Sequence, residues 1–272
     1  MSDPTLPLIV EPDLLELHLN QDNLLILDLC KESSYQSAHI PGAIYLDYGQ
    51  IVLNRKPVFG LLPDASSFCQ LLASLGITPD THVVAYDDEG GGKAARLLYT
   101  LETIGHPHYS LLNGGLHAWS NEGHALESEQ IKPVAAEYPD RPFTQAIADQ
   151  HYIESQLNSG QLALLDARSV DEYRGVKRFA EKGGHIPGAV NMEWTLAMDQ
   201  SRNLRLLPAS ELRKMLEGLG ITPEHEVIVY CHSHHRSAHT YIMLKSLGYP
   251  NIKGYPGSWS EWGNLPNTPV EV

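Results

Sequence analysis

The chain has 272 residues, with 19 Lys+Arg against 33 Asp+Glu and a formal net charge of -14. Such an acid excess argues against a general nucleic-acid coat, because neutralising phosphates needs a local excess of Lys and Arg. No apolar run reaches the roughly 18 residues of a membrane-spanning helix, and 42% hydrophobic with 19% charged residues is the mix of a folded chain.

The N-terminus, MSDPTLPLIVEPD, carries acids where an export leader carries bases. A reducing cytoplasm is therefore expected, with one or more of the thiols of Cys30, Cys69 and Cys231 free. LLILD (24–28) is a short apolar run ending in an acid, the pattern of a buried parallel strand. Cys30 follows it closely and reads as structural. Phe68, Leu71, Leu72 and Leu75 recur at i, i+3, i+4 and i+7, which predicts an amphipathic helix ended by Gly76. Cys69 lies inside that helix and reads as packing. HVVAY (82–86) predicts a strand, and a helical stretch follows its loop as far as Gly105. Residues 131–145 hold Pro133, Pro139 and Pro142 without an apolar period, the composition of an extended linker.

Beyond the linker the same order returns. LALLD (162–166) parallels LLILD, EVIVY (226–230) parallels HVVAY, and HIPGA and GITP each occur twice in register. Leu212, Met215, Leu216 and Leu219 form a second one-faced helix ending at Gly220, and Gly257 and Trp262 parallel Gly114 and Trp119. The chain reads as a tandem duplication, with domains at 1–130 and 146–272 joined by 131–145. Strands alternating with helices predict an α/β fold, each half a mainly parallel sheet flanked by helices. Ligands are expected at the carboxyl ends of the strands.

The halves differ most in the loop after the central strand. The first reads Asp87-Asp88-Glu89-Gly90-Gly91-Gly92-Lys93 and the second Cys231-His232-Ser233-His234-His235-Arg236-Ser237. Cys231 stands at a strand end, before a helix expected to start near Ser237. A helix N-terminus, inward loop amides and the charge of Arg236 all favour thiolate over thiol. Cys231 is therefore the candidate nucleophile, and His232, Ser233, His234, His235, Arg236 and Ser237 are candidates for holding an anion against it. The acidic first loop, with Asp87 opposite Cys231, would repel an anion and lacks a sulfur, so that half reads as an inactive scaffold. An insertion between Tyr173 and His185 carries Arg174, Lys177, Arg178 and Lys182 against Glu181, a basic cluster able to steer anions. Trp194 is a candidate pocket wall. His232, His234, His235 and His239 raise the question of zinc. Adjacent histidines diverge, however, and no second ligand cluster is evident, so neither metal nor cofactor is expected.

These residues carry a resemblance that spans essentially the whole chain. YQSAHIPGAIYL (35–46) resembles the N-terminal signature of the rhodanese family and YPGSWSEW (255–262) its C-terminal signature. Cys231 stands where that family has its catalytic cysteine, and Asp87 marks the inactive half of its two-domain members. The resemblance implies two tandem rhodanese-like domains and a sulfurtransferase that moves sulfane sulfur from thiosulfate to cyanide or a thiol through a Cys231 persulfide. CHSHHRS and GSWSEWGNLPNTPVEV are similar to a bacterial thiosulfate type. Animal thiosulfate loops carry lysine where Ser233 stands and arginine where Pro187 stands; mercaptopyruvate-type loops share only Cys231 and Ser233 in place. 3-Mercaptopyruvate is thus the alternative donor, and a non-catalytic persulfide carrier a further alternative. Cysteine phosphatases of related fold place five residues between Cys and Arg; the four between Cys231 and Arg236 make a tighter loop. Partners are then a small anionic donor and a small acceptor, with no nucleic acid and no membrane, and a monomer is expected.

Overall fold

The computed structural model describes residues 6–144, 146–157, 159–160 and 162–272. The leader reading of the N-terminus falls partly on residues 1–5, and the linker reading partly on Gln145, outside that set. Elements alternate along the chain, beginning with β1 (Ile9–Val10), α1 (Pro12–Glu16), β2 (Leu24–Asp28), α2 (Glu32–Ser37) and β3 (Ala43–Tyr45). Then come β4 (Leu53–Arg55), β5 (Val58–Leu61), α3 (Ala65–Ser74), β6 (His82–Tyr86), α4 (Gly92–Thr103), β7 (Tyr109–Leu112) and α5 (Gly115–Asn121). The later part has α6 (Gln150–Gln156), β8 (Leu162–Asp166), α7 (Val170–Tyr173), β9 (Val190–Asn191), β10 (Met198–Asp199) and β11 (Arg205–Leu206). It closes with α8 (Ala209–Gly218), β12 (Glu226–Tyr230), α9 (Arg236–Ser246), β13 (Ile252–Gly254) and α10 (Ser258–Trp262).

One sheet runs β1-β7-β6-β2-β3 and the other β13-β12-β8-β9, with parallel pairing throughout both. Each centre is a run buried on both faces, as helices on both sides of a parallel sheet require: Val83, Val84, Ala85 and Tyr86 in β6, and Val227, Ile228, Val229 and Tyr230 in β12. The amphipathic stripes form α3 and α8, and Gly76 and Gly220 follow them with φ of 83° and 76°, a left-handed exit that glycine adopts without penalty.

Two compact units result. The first takes its described residues from Met1–Ile51, Pro63–Gln145 and Asp199–Leu206; the second from Val52–Leu62, Ala146–Met198 and Leu207–Val272. The antiparallel β4–β5 hairpin, which the sequence places in the first repeat, thus belongs to the second unit.

The duplication holds down to single contacts. Tyr35 stacks on His39 at 3.9 Å and Tyr173 on His185 at 3.7 Å. In each pair the tyrosine carbonyl lies at the histidine Nδ1. Tyr86 and Tyr230 each accept the amide of the isoleucine in their HIPGA motif, both at 3.2 Å. The longer Tyr173–His185 segment therefore loops out and returns to the same stack.

Candidate active site

β12 lies inside its sheet, paired to β8 and β13, and delivers Cys231 to its carboxyl end. The thiol is buried, with the residue 1% exposed. Residues 231–235 form a tight loop, and α9 starts at Arg236, one residue before the expected start. His234 has a left-handed backbone, with φ of 51°.

The loop is fastened from behind. Ser258 Oγ accepts the amides of Cys231 (3.3 Å) and His234 (3.1 Å) and donates to the Tyr255 carbonyl (2.7 Å). The Cys231 carbonyl accepts from the Trp259 amide at 3.0 Å and the His232 carbonyl from the Ser260 amide at 2.9 Å. The first amides of α10 thus engage loop carbonyls, while the amides of Ser233 and Ser237 and the Ser237 hydroxyl are left for the sulfur. The β4–β5 hairpin, part of the same unit, closes one side: the Phe59 amide donates to Ser260 Oγ at 2.9 Å. Gly60, at φ 75°, lies so close to the Ser233 carbonyl that a Cβ there would collide with it.

Burial is the largest influence on the Cys231 thiol and pushes its pKa up. The Arg236 charge, the Ser237 hydroxyl and the amides of Ser237 and Ser233 outweigh it and bring the value from 9.0 to about 7. Arg236 itself is forked onto Glu172, with Nη1 to Oε2 at 2.7 Å and Nη2 to Oε1 at 2.9 Å. Glu172 is also the far half of a capping box that begins α7 at Ser169. Burial would raise the Glu172 pKa, but the Arg236 hydrogen bonds and charge, with those of Ser169, draw it down to about 2.

The expected binding residues divide into three groups. Ser233, through its amide, and Ser237 face the sulfur, and the fully buried His234 places Nδ1 2.8 Å from Ser237 Oγ. Arg236 is committed to Glu172. Rim rings make up the rest: His232 lies beside Phe59 (6.4 Å) and Phe179 (5.7 Å), and Trp194 lies against His235 (5.9 Å) and His239 (5.4 Å). His235 and His239 share Trp194 while His232 and His234 face other neighbours, and no metal-binding group of His, Cys, Asp and Glu occurs among the described residues. In the basic insertion Arg174, Lys177 and Arg178 are exposed. Lys182 instead donates to the carbonyls of Pro266 and Thr268 and acts as an internal clamp. Phe59, Phe179 and Arg178 line an open cleft of about 630 Å³ beside the loop.

Sequence reasoning did not single out Glu172, Ser258, Gly60 or Phe179. Ser169-x-x-Glu172 is a readable capping pattern and Ser258 lies inside the quoted YPGSWSEW; Gly60 left no signal.

In the first unit the same nest is filled by protein. Asp87 Oδ1 accepts the amides of Glu89 (3.0 Å) and Gly91 (2.7 Å), and Oδ2 that of Ala94 (3.0 Å). A built-in carboxyl group thus takes the amides at the position that the repeat aligns with Cys231.

The profile of the rhodanese-like domain matches residues 11–122 and 149–265. A thiosulfate sulfurtransferase of Pseudomonas aeruginosa is 46% identical over 98% of both chains, and one of Azotobacter vinelandii 45% over 98% of both. A sulfur carrier protein, TtuD, of Thermus thermophilus is 35% identical over 96% of this chain and 95% of its own. Among solved structures, an anaerobic ergothioneine biosynthesis enzyme from Chlorobium limicola superposes with a TM-score of 0.87 at 21% identity, covering 97% of this chain and 70% of that one, a likeness of fold.

Proposed function

Because this chain belongs to the rhodanese-like family, we propose that it is a thiosulfate sulfurtransferase working through a persulfide on Cys231. The observation that carries the reading is a buried thiol brought down to about 7 at the end of a central strand, with amide donors aimed at it.

The Cys231 thiolate attacks the outer sulfur of thiosulfate. A new S–S bond forms as the donor's own S–S bond breaks, and sulfite leaves with the electron pair. The persulfide anion left on Cys231 is held by the donors that stabilised the thiolate, the amides of Ser233 and Ser237 and the Ser237 hydroxyl. An acceptor, cyanide in an assay or a thiol in the cell, attacks the outer sulfur, and the bonding pair returns to Sγ. Arg236, anchored by Glu172, supplies a fixed positive charge, and Trp194, His232 and His235 line the approach. The exposed Arg174, Lys177 and Arg178 steer the donor toward the loop. Thiosulfate is favoured over 3-mercaptopyruvate because the two most similar relatives named above are thiosulfate enzymes. The half of the chain over 1–130, with Asp87 filling its own nest, is read as non-catalytic, 131–145 as the linker and 146–272 as the catalytic half. A reducing compartment, the cytoplasm, suits three unpaired cysteines. Among the described residues no helix is long and apolar enough to cross a membrane.

Incubation with thiosulfate should leave the intact protein heavier by one sulfur atom, cyanide should reverse the gain, and Cys231→Ser should abolish it. A gain retained in Cys231→Ser would overturn the assignment. The Thermus relative's name favours a second reading, a carrier that holds sulfur without turning over. Steady-state thiocyanate formation separates the two.

A further inference from the structure

His234 combines three properties that are costly together. Its backbone is left-handed at φ 51°, which an L side chain rarely adopts. Its side chain is fully buried in a loop otherwise rich in partly exposed polar groups. Its Nδ1 lies 2.8 Å from Ser237 Oγ, and Ser237 donates to the Cys231 sulfur. The first unit supplies the internal control. The repeat aligns Cys231 with Asp87, Ser237 with Lys93 and His234 with Gly90, and Gly90 is left-handed too, at φ 95°. The half without a nucleophile places there the residue that this backbone prefers, and the half with the nucleophile places an imidazole.

We propose that His234 is a positioning residue: its Nδ1–H donates to Ser237 Oγ, which turns the Ser237 hydroxyl proton onto the Cys231 sulfur. A serine hydroxyl rotates freely about its C–O bond and can donate or accept. Against a thiolate it is useful only as a donor, and an N–H pressed on its oxygen leaves the hydroxyl proton pointing toward the sulfur. The histidine is then the Nδ1–H tautomer and holds the donor in place without touching the reacting atom. The same arrangement serves the persulfide anion, and to that extent the inference rests on the sulfurtransferase reading. The thiolate part does not.

The test follows the pH dependence of Cys231 alkylation by iodoacetamide, read by intact mass without any sulfur donor. Wild type should titrate with a midpoint near 7. His234→Gly keeps a residue suited to the left-handed backbone but removes the donor, so the midpoint should rise and the rate at pH 7 fall about tenfold. His234→Asn also tolerates that backbone, and its side-chain amide can donate, so it should restore a midpoint near wild type. Ser237→Ala combined with His234→Gly should be no worse than Ser237→Ala alone, because the histidine acts through the serine. An unshifted midpoint in His234→Gly, equal shifts in the Gly and Asn variants, or additive losses in the double variant would each overturn the proposal. A wild-type thiol inert through neutral pH would instead remove the sulfurtransferase reading beneath it.

Discussion

Cys231 shows how little burial alone says about a thiol. Cys30, Cys69 and Cys231 are all buried. Burial, and then the Asp28 charge, pushes the Cys30 thiol up, and burial likewise raises that of Cys69. Only Cys231 goes down, because Arg236, Ser237 and Ser233 supply a charge and donors that exceed the desolvation. Removing that charge in Arg236→Ala should raise the thiol midpoint and slow alkylation at pH 7 about tenfold; an unchanged pH–rate curve would show the amides suffice. The linkage has a definite sign. A folded value of about 7 against 9.0 means the thiolate's stabilising contribution is present above 9.0 and disappears as pH falls through 7. Glu172 behaves the same way in acid. Held at about 2 against an ordinary 4.5, it stabilises the fold above 4.5 and loses that contribution as pH falls toward 2. Urea midpoints compared at pH 5 and pH 3 should therefore converge in Glu172→Gln relative to wild type. An unaltered pH dependence would mean the Arg236 pair contributes nothing.

The elements around the loop explain why a tight Cys231–Ser237 turn holds its shape. β12 fixes one end, α9 the other, and α10 takes the outward carbonyls, so the amides are left for an anion. The strands, the amphipathic helices and the start of α9 within one residue were legible, because apolar spacing and terminal glycines act over a few residues. The supporting contacts were not. Glu172 meets Arg236 across 64 residues, Ser258 meets Cys231 across 27 and Phe59 meets Ser260 across 201. The hairpin is the sharpest case, since its residues read as an ordinary part of the first repeat. Gly60→Ala should force a Cβ toward the Ser233 carbonyl from a left-handed backbone and cost about 1–3 kcal/mol. Thermal unfolding and the rate of sulfur loading should both suffer; normal loading would mean the loop shifts freely.

The whole molecule is one fold written twice, with a different residue at the end of the central strand in each copy. Both units retain the Tyr–His stack, the tyrosine that caps HIPGA, and a nest of amides beyond the central strand. In one the nest holds its own carboxylate, and in the other it surrounds a sulfur. Asp87→Ala should orphan three amide donors and destabilise the first unit by on the order of 1–3 kcal/mol. Transfer at Cys231, followed as thiocyanate formation from thiosulfate, should stay nearly intact, and a large loss at a temperature where the variant is folded would show that the first unit takes part. The sequence by itself determined the duplication, the parallel α/β units and the family, and it singled out Cys231 as the candidate nucleophile, because repeats, hydrophobic period and strand–loop–helix order are local properties of the chain. Only the tertiary structure decided that the hairpin 52–62 belongs to the second unit, that Arg236 is tied to Glu172, and that His234 turns inward to Ser237. Those choices depend on which polar groups, distant along the chain, arrive at one place as the core closes, and on the need of each buried donor for an acceptor there.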